Sequence, residues 1–237
     1  MNNNTLTPKT LLNKLQTAKR DSEKLFAVLL DPDKTEIDQI PNKKQDFQSE
    51  KIDLFLVGGS LVSQPKFGPF IKALKQHFEQ PVFLFPGSPV QYTEEADGLL
   101  FLSLISGRNA DLLIGRHVEI APVLKSSNSE VIPTGYMLVN GGSPTSASYI
   151  SGTAPIPAKK WDIAMATAQA GELLGLQCIY MDAGSGADKH IPIETVRRVA
   201  EGVDIPLIVG GGIRTQEERE ALWNAGADVV VVGTALE

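Results

Sequence analysis

The chain has 237 residues, 42% hydrophobic and 21% charged, which suits one sizeable globular domain with a full core. Twenty-two basic against 28 acidic residues leave a net charge of −6, with no basic surplus to neutralise a nucleic-acid backbone. A lone cysteine, Cys178, excludes an internal disulfide; with no run of about 18 apolar residues and no secretion-signal order at the N-terminus, a soluble cytoplasmic protein is expected.

Residues 11–24 carry amphipathic helical periodicity, so a helix over about residues 8–24 is expected to cover one end of the fold. Eight apolar runs follow, at residues 25–30, 54–57, 82–85, 98–104, 135–139, 177–181, 206–209 and 228–232. They are continuous rather than alternating, as in a parallel sheet covered by helices. Helical patterns at residues 109–125, 158–174, 193–201 and 216–224 separate the later runs. The order predicts an α/β fold of one domain over residues 1–237, a (β/α)8 TIM barrel. One connection departs from that plan. Only about eleven residues, 87–97, join the third and fourth runs, whereas a crossover with its helix needs a dozen or more. The third outer helix is therefore expected to be missing or reduced to one turn, uncovering a strip of apolar sheet for a ligand or partner. The sequence stops shortly after the eighth run, so no eighth outer helix is expected within it.

The apolar runs end in small polar clusters. Asp31 and Asp33 flank Pro32 after the first run, as a seat for a hard cation or as a turn with helix-capping acids. Ser60 closes the second run in LVGGS, a hydroxyl near the same mouth or simply part of a tight turn. Tyr180 and Asp182 share one strand face and precede Ala183, Gly184, Ser185 and Gly186, reading as a hydroxyl grip followed by a phosphate cradle. A core tyrosine and a capping aspartate would give the same pattern. Gly210, Gly211 and Gly212, with Arg214 beyond, and Gly233 with Thr234 add two more loops at the last strands, where barrels hold phosphate. His77, His117 and His190 show no ligand spacing and read as surface or packing residues, and Cys178 as a buried inert thiol.

Together the motifs LLDPDK, LVGGS, LFPGSP, ISGRNADLLIG, PTGYMLVNGGSPTSA, YMDAGSG, VGGGIR and VVGTAL resemble the geranylgeranylglyceryl phosphate synthase family, which includes the heptaprenylglyceryl phosphate synthases. They span essentially the whole chain. The resemblance implies a modified TIM barrel that joins sn-glycerol 1-phosphate to a polyprenyl diphosphate (geranylgeranyl or longer) through an ether bond, releasing pyrophosphate. It further implies Mg²⁺ at Asp31 and Ser60. Glycerol phosphate would lie at Tyr180, Met181, Asp182, Ala183, Gly184, Ser185 and Gly186, at Gly210, Gly211 and Gly212, and at Gly233 and Thr234. Asp182 is then the candidate general base, Tyr180 orients the glycerol, and Arg108 is a candidate donor to the diphosphate. Many relatives carry Glu in place of Asp182, and some archaeal members carry Lys in place of Leu29. The family also implies a dimer or larger ring, for which residues 149–161 offer an apolar, aromatic-bearing face. Two other readings stay open: a phosphate-binding barrel isomerase or cyclase, needing neither groove nor Mg²⁺, and a non-catalytic barrel that binds a prenyl lipid.

Overall fold

Eight parallel strands close on themselves in sequence order, β1 pairing with β8. The computed structural model describes residues 10–43, 47, 50–63 and 66–233. The strands are β1 (Leu25–Leu30), β2 (Leu54–Val57), β3 (Val82–Leu84), β4 (Gly98–Leu104), β5 (Glu130–Leu138), β6 (Cys178–Asp182), β7 (Leu207–Gly210) and β8 (Val229–Val232). The helices outside them are α1 (Leu11–Asp21), α2 (Phe67–His77), α3 (Arg116–Ser126), α4 (Ser146–Ser151), α5 (Trp161–Leu173), α6 (Ile193–Gly202) and α7 (Gln216–Asn224).

Alternation along each strand sorts the core into two layers. Leu25, Ala27, Leu54, Leu56, Phe83, Leu100, Ile132, Cys178, Tyr180, Ile208, Val229 and Val231 fill the barrel interior. Phe26, Val28, Phe55, Val57, Met137, Ile179, Met181, Val209 and Val230 face the helices. Leu11, Leu15 and Ala18 of α1 pack beneath the inner layer and plug the barrel floor. The helix is shorter than its sequence periodicity, because Ser22 takes a left-handed conformation (φ 57°) and ends it.

The fifth strand begins at Glu130, not at residue 135. Pro133, a residue that usually breaks a strand, sits inside it with its carbonyl accepting from Gln177 N–H at 2.8 Å. Glu130 earns its place in the fold at the floor, where its carboxylate accepts from Leu11 and Leu12 N–H at 2.9 and 3.0 Å and so caps α1. Before α3 the chain makes a π-helical turn, Asp111–Gly115, rather than continuous α-helix from residue 109.

Between β3 and β4 there is no outer helix, only a 3₁₀ turn at Pro89–Gln91. The outer surfaces of β3 and β4 therefore open into a groove bounded by this turn and by α3. No helix among the described residues is long and apolar enough to cross a membrane.

Candidate active site

Two cavities meet at the C-terminal mouth of the barrel. The polar one gathers Asp31, Ser60, Tyr180, Asp182, Ser185, Gly186, Gly211, Gly212 and Gly233 from five different strand ends. Thr234 lies outside the described residues. Met181 and Ala183 do not reach the cavity with their side chains. They fall on the odd positions of β6 and its extension, so they pack outward against the helix layer. The Ala183 N–H is also committed, to Gly210 O at 3.0 Å. Gly184 and Gly210 support the site from behind; a Cβ on Gly210 would stand 2.6 Å from the Tyr180 hydroxyl. Gly211 and Gly212 have φ of 84° and 69°, and among the described residues no backbone carbonyl accepts from either N–H. Amides left uncommitted in this way, beside the space open around Gly186, have the chemistry that suits an anion.

Asp182 is 7% exposed and held at both oxygens. Gly184 N–H donates to Oδ1 at 2.7 Å, and the Tyr136 hydroxyl donates to Oδ2 at 2.6 Å. Burial pushes the carboxyl above its ordinary range, an effect that the two donors only moderate. The Tyr136 and Tyr180 phenols are pushed well above theirs, by burial first and then by the nearby carboxylate, so both stay protonated donors. Tyr136 was not singled out by sequence reasoning. Its signal was there in principle: it pairs in register with Tyr180 across β5 and β6.

Asp31 lines the same cavity with Leu29, Asp33 and Lys34. Its Oδ1 accepts from Asp33 N–H at 3.0 Å, and Lys34 Nζ stands 3.9 Å from Oδ2. Burial raises the Asp31 carboxyl. Asp33 is drawn aside, accepting from Ser63 N–H at 2.6 Å. A Cβ on Gly59 would lie 2.9 Å from Asp31 Oδ2, so the glycine brings the Ser60 loop directly against this carboxylate. Among the described residues no three His, Cys, Asp or Glu side chains cluster. A carboxylate packed against the Ser60 loop, both lining the polar cavity, is the sparse donor set that suits Mg²⁺, which keeps waters and takes substrate phosphate oxygens. Lys34 reaches across to Ser185 Oγ at 3.2 Å, linking the first loop to the β6 loop.

The second cavity is the groove left by the absent helix. Leu84, Pro89, Tyr92, Leu99, Phe101, Leu112 and Ile120 give it an apolar wall. Gly59, Ser60 and Phe85 line both cavities, and so mark where they join. The Phe85 ring lies 4.9 Å from Tyr180 and 5.7 Å from Tyr136, roofing the junction beside the Tyr136–Asp182 bond. Gln91 fastens the junction loops, accepting from Gly87 N–H at 2.8 Å and donating to Gly59 O at 2.9 Å.

Arg108 does not line either cavity; its guanidinium donates to Gly107 O at 2.7 Å within its own loop. The chain turns back there, and its carbonyls capture the side chain. His117 is a packing residue with its edge toward Phe101 (centroids 4.4 Å apart) and Ser103 Oγ 3.2 Å from Nε2. Burial lowers its basicity, so it contributes no charge to the groove near neutral pH. His190 bonds locally to Ile191 O, and His77 closes α2.

This architecture is shared with known proteins. The PcrB family model matches residues 18–237. A geranylgeranylglyceryl phosphate synthase of Spirosoma linguale is 49% identical over 94% of this chain and 90% of its own length. One from Chitinophaga pinensis is 51% identical over 90% and 85%. The crystal structure of (S)-3-O-geranylgeranylglyceryl phosphate synthase from Thermoplasma acidophilum, in complex with sn-glycerol-1-phosphate, superposes with a TM-score of 0.90 at 31% identity, covering 96% of this chain and 91% of that one. A match running from the floor helix to the last strand leaves one assignment: the chain belongs to the PcrB family of geranylgeranylglyceryl phosphate synthases.

Proposed function

We propose that the protein is a prenyltransferase that joins sn-glycerol 1-phosphate to a polyprenyl diphosphate through an ether bond and releases pyrophosphate. The observation that carries this reading is the meeting of a glycine-lined polar cavity and an apolar groove at Gly59, Ser60 and Phe85, with a buried carboxylate beside them. An isomerase acting on a small sugar phosphate has no use for the groove.

Glycerol phosphate places its phosphate on the nest of Gly186, Gly211, Gly212 and Gly233, with Ser185 and Lys34 alongside. Its hydroxyl then lies toward Tyr180 and Asp182. The polyprenyl chain lies along Leu99, Phe101 and Ile120, with its diphosphate at the Ser60 end. Mg²⁺ held by Asp31 and Ser60 would neutralise charge on the leaving diphosphate. The allylic C–O bond of the donor breaks, and its electron pair leaves with pyrophosphate. The glycerol oxygen forms the new C–O bond, and its proton passes to Asp182. Phe85, Tyr136 and Tyr180 keep water from the electron-poor carbon, and the two cavities hold the partners in attacking geometry. The exposed side chains of Tyr149, Ile150 and Trp161 are the apolar groups through which the chain would self-associate.

Pyrophosphate release from purified protein with sn-glycerol 1-phosphate, Mg²⁺ and donors of increasing length tests the reading. Release that needs both substrates and stops with EDTA is the expected result, and the preferred donor measures the groove. Binding of donor and glycerol phosphate without release would mean a non-catalytic barrel.

A further inference from the structure

A donor with a long apolar tail and a diphosphate head needs a cation where the head lies. Among the described residues that line the groove, Arg116 is the one that carries a formal charge at neutral pH. Lys34 and Arg214 belong to the polar cavity, so the cations are divided between the two substrates' chambers. Arg116 opens α3 directly after the π-turn, and its guanidinium is fixed at two points. Nε donates to Asp111 Oδ2 at 3.1 Å, and Nη1 donates to Gly87 O at 3.1 Å. Among the described residues nothing accepts from Nη2. The Gly87 anchor tells which end of the groove this is. A Cβ on Gly87 would lie 2.6 Å from Gly59 O and 3.2 Å from Ser60 Cα, so Gly87 packs on the loop that faces Asp31. Arg116 is thus tethered to the junction, and its side chain is 35% exposed, open enough for an incoming anion.

We infer that Arg116 binds the diphosphate of the polyprenyl donor, its guanidinium held by Asp111 and Gly87 O so that the free Nη2 edge meets phosphate oxygens at the inner end of the groove. The inference rests on the prenyl-transfer reading above and adds to it a specific donor contact. An arginine suits the role because two of its five N–H donors can serve as anchors while the rest remain for the ligand.

The test compares Arg116→Met and Arg116→Lys with the unmodified protein, using geranylgeranyl S-thiolodiphosphate and geranylgeraniol as calorimetric probes. Arg116→Met is expected to weaken thiolodiphosphate binding by about 10- to 100-fold, the loss of a charge-assisted hydrogen bond, and to leave the alcohol within about twofold. Arg116→Lys should fall between, because it keeps the charge and loses the fork. The KM for sn-glycerol 1-phosphate should hold within about twofold. Unchanged thiolodiphosphate binding in Arg116→Met overturns the inference, as does an equal loss for the alcohol, which would mean a damaged groove wall. Unmodified protein that takes up neither prenyl probe, or that binds both yet releases no pyrophosphate from geranylgeranyl diphosphate and sn-glycerol 1-phosphate, sinks the prenyl-transfer reading itself.

Discussion

Replacing Asp182 by Asn separates its chemical from its structural role. The carboxamide oxygen can still accept from Gly184 N–H, and the amide nitrogen can donate to the Tyr136 oxygen, so both contacts of the native side chain are kept, the second with donor and acceptor exchanged. What is lost is the ability to take a proton. A general base is worth about 10²- to 10⁴-fold, so kcat should fall by that factor, equivalent to about 2.7–5.5 kcal/mol of barrel-held transition-state stabilisation. The dissociation constant for sn-glycerol 1-phosphate, read by calorimetry, should change little. Near-native turnover with native affinity would place the base elsewhere.

The same residue makes two pH statements. As the proposed base Asp182 would act deprotonated, and burial holds its carboxyl above the ordinary range. Turnover should therefore fall on the acid side at a higher pH than a free carboxylate would give. Tyr136→Phe removes a donor that favours the charged form, so this acid limb should move to still higher pH. Movement toward lower pH would refute the assignment. For stability the sign follows from linkage. The folded carboxyl binds its proton more tightly than the unfolded one, so stability is lost as pH rises from the unfolded value through the folded one. Asp182→Asn should thus melt no lower than the native protein at pH 7, and its advantage should vanish in acid.

Three further perturbations follow from the packing. Gly210→Ala sets a methyl 2.6 Å from the buried Tyr180 hydroxyl, and should cost about 1–3 kcal/mol in chemical denaturation while raising the KM for sn-glycerol 1-phosphate. Cys178 is fully buried and its thiol is pushed up to about 12, so iodoacetamide at pH 8 should leave the native protein unlabelled and modify it completely in denaturant. Asp31→Asn should raise the Mg²⁺ concentration needed for half-maximal pyrophosphate release by about tenfold or more, with glycerol phosphate binding retained; an unchanged Mg²⁺ requirement would move the cation elsewhere.

The barrel was legible because its strands are buried on both faces and its loops are punctuated by glycine. The missing helix was legible from chain length alone, since no side chain can shorten a crossover. The polar cavity was largely legible too, because Tyr180 and Asp182 sit two apart on one strand and their face follows from parity. The same parity, applied to Met181 and Ala183, turns their side chains away from the polar cavity. Tyr136, Gln91 and Arg116 were not legible. Each acts through a partner distant in sequence: Tyr136 through Asp182, Gln91 through Gly59, Arg116 through Gly87. Arg108, a candidate donor by resemblance, is held locally. The loop's own carbonyls take its guanidinium, a contact that no sequence pattern announces.

Omitting the third helix places the barrel's weakest seam beside the apolar groove. β4 pairs with β5 over seven register positions, but with β3 over only two. The short connection compensates with hydrogen bonds rather than with a packed helix. Gln91, 3% exposed, bridges Gly59 O and Gly87 N–H across the open side. Gln91→Ala would leave both backbone groups without this partner, at a cost of about 1–3 kcal/mol for each that stays buried and unsatisfied. The loss should be local. Amide exchange should quicken across β3 and the connection while β6 to β8 keep their protection, and the Mg²⁺ requirement should rise because Gly59 lies against Asp31. Uniformly faster exchange, with the Mg²⁺ requirement unchanged, would make Gln91 an ordinary core residue and leave the seam to be held by strand pairing alone.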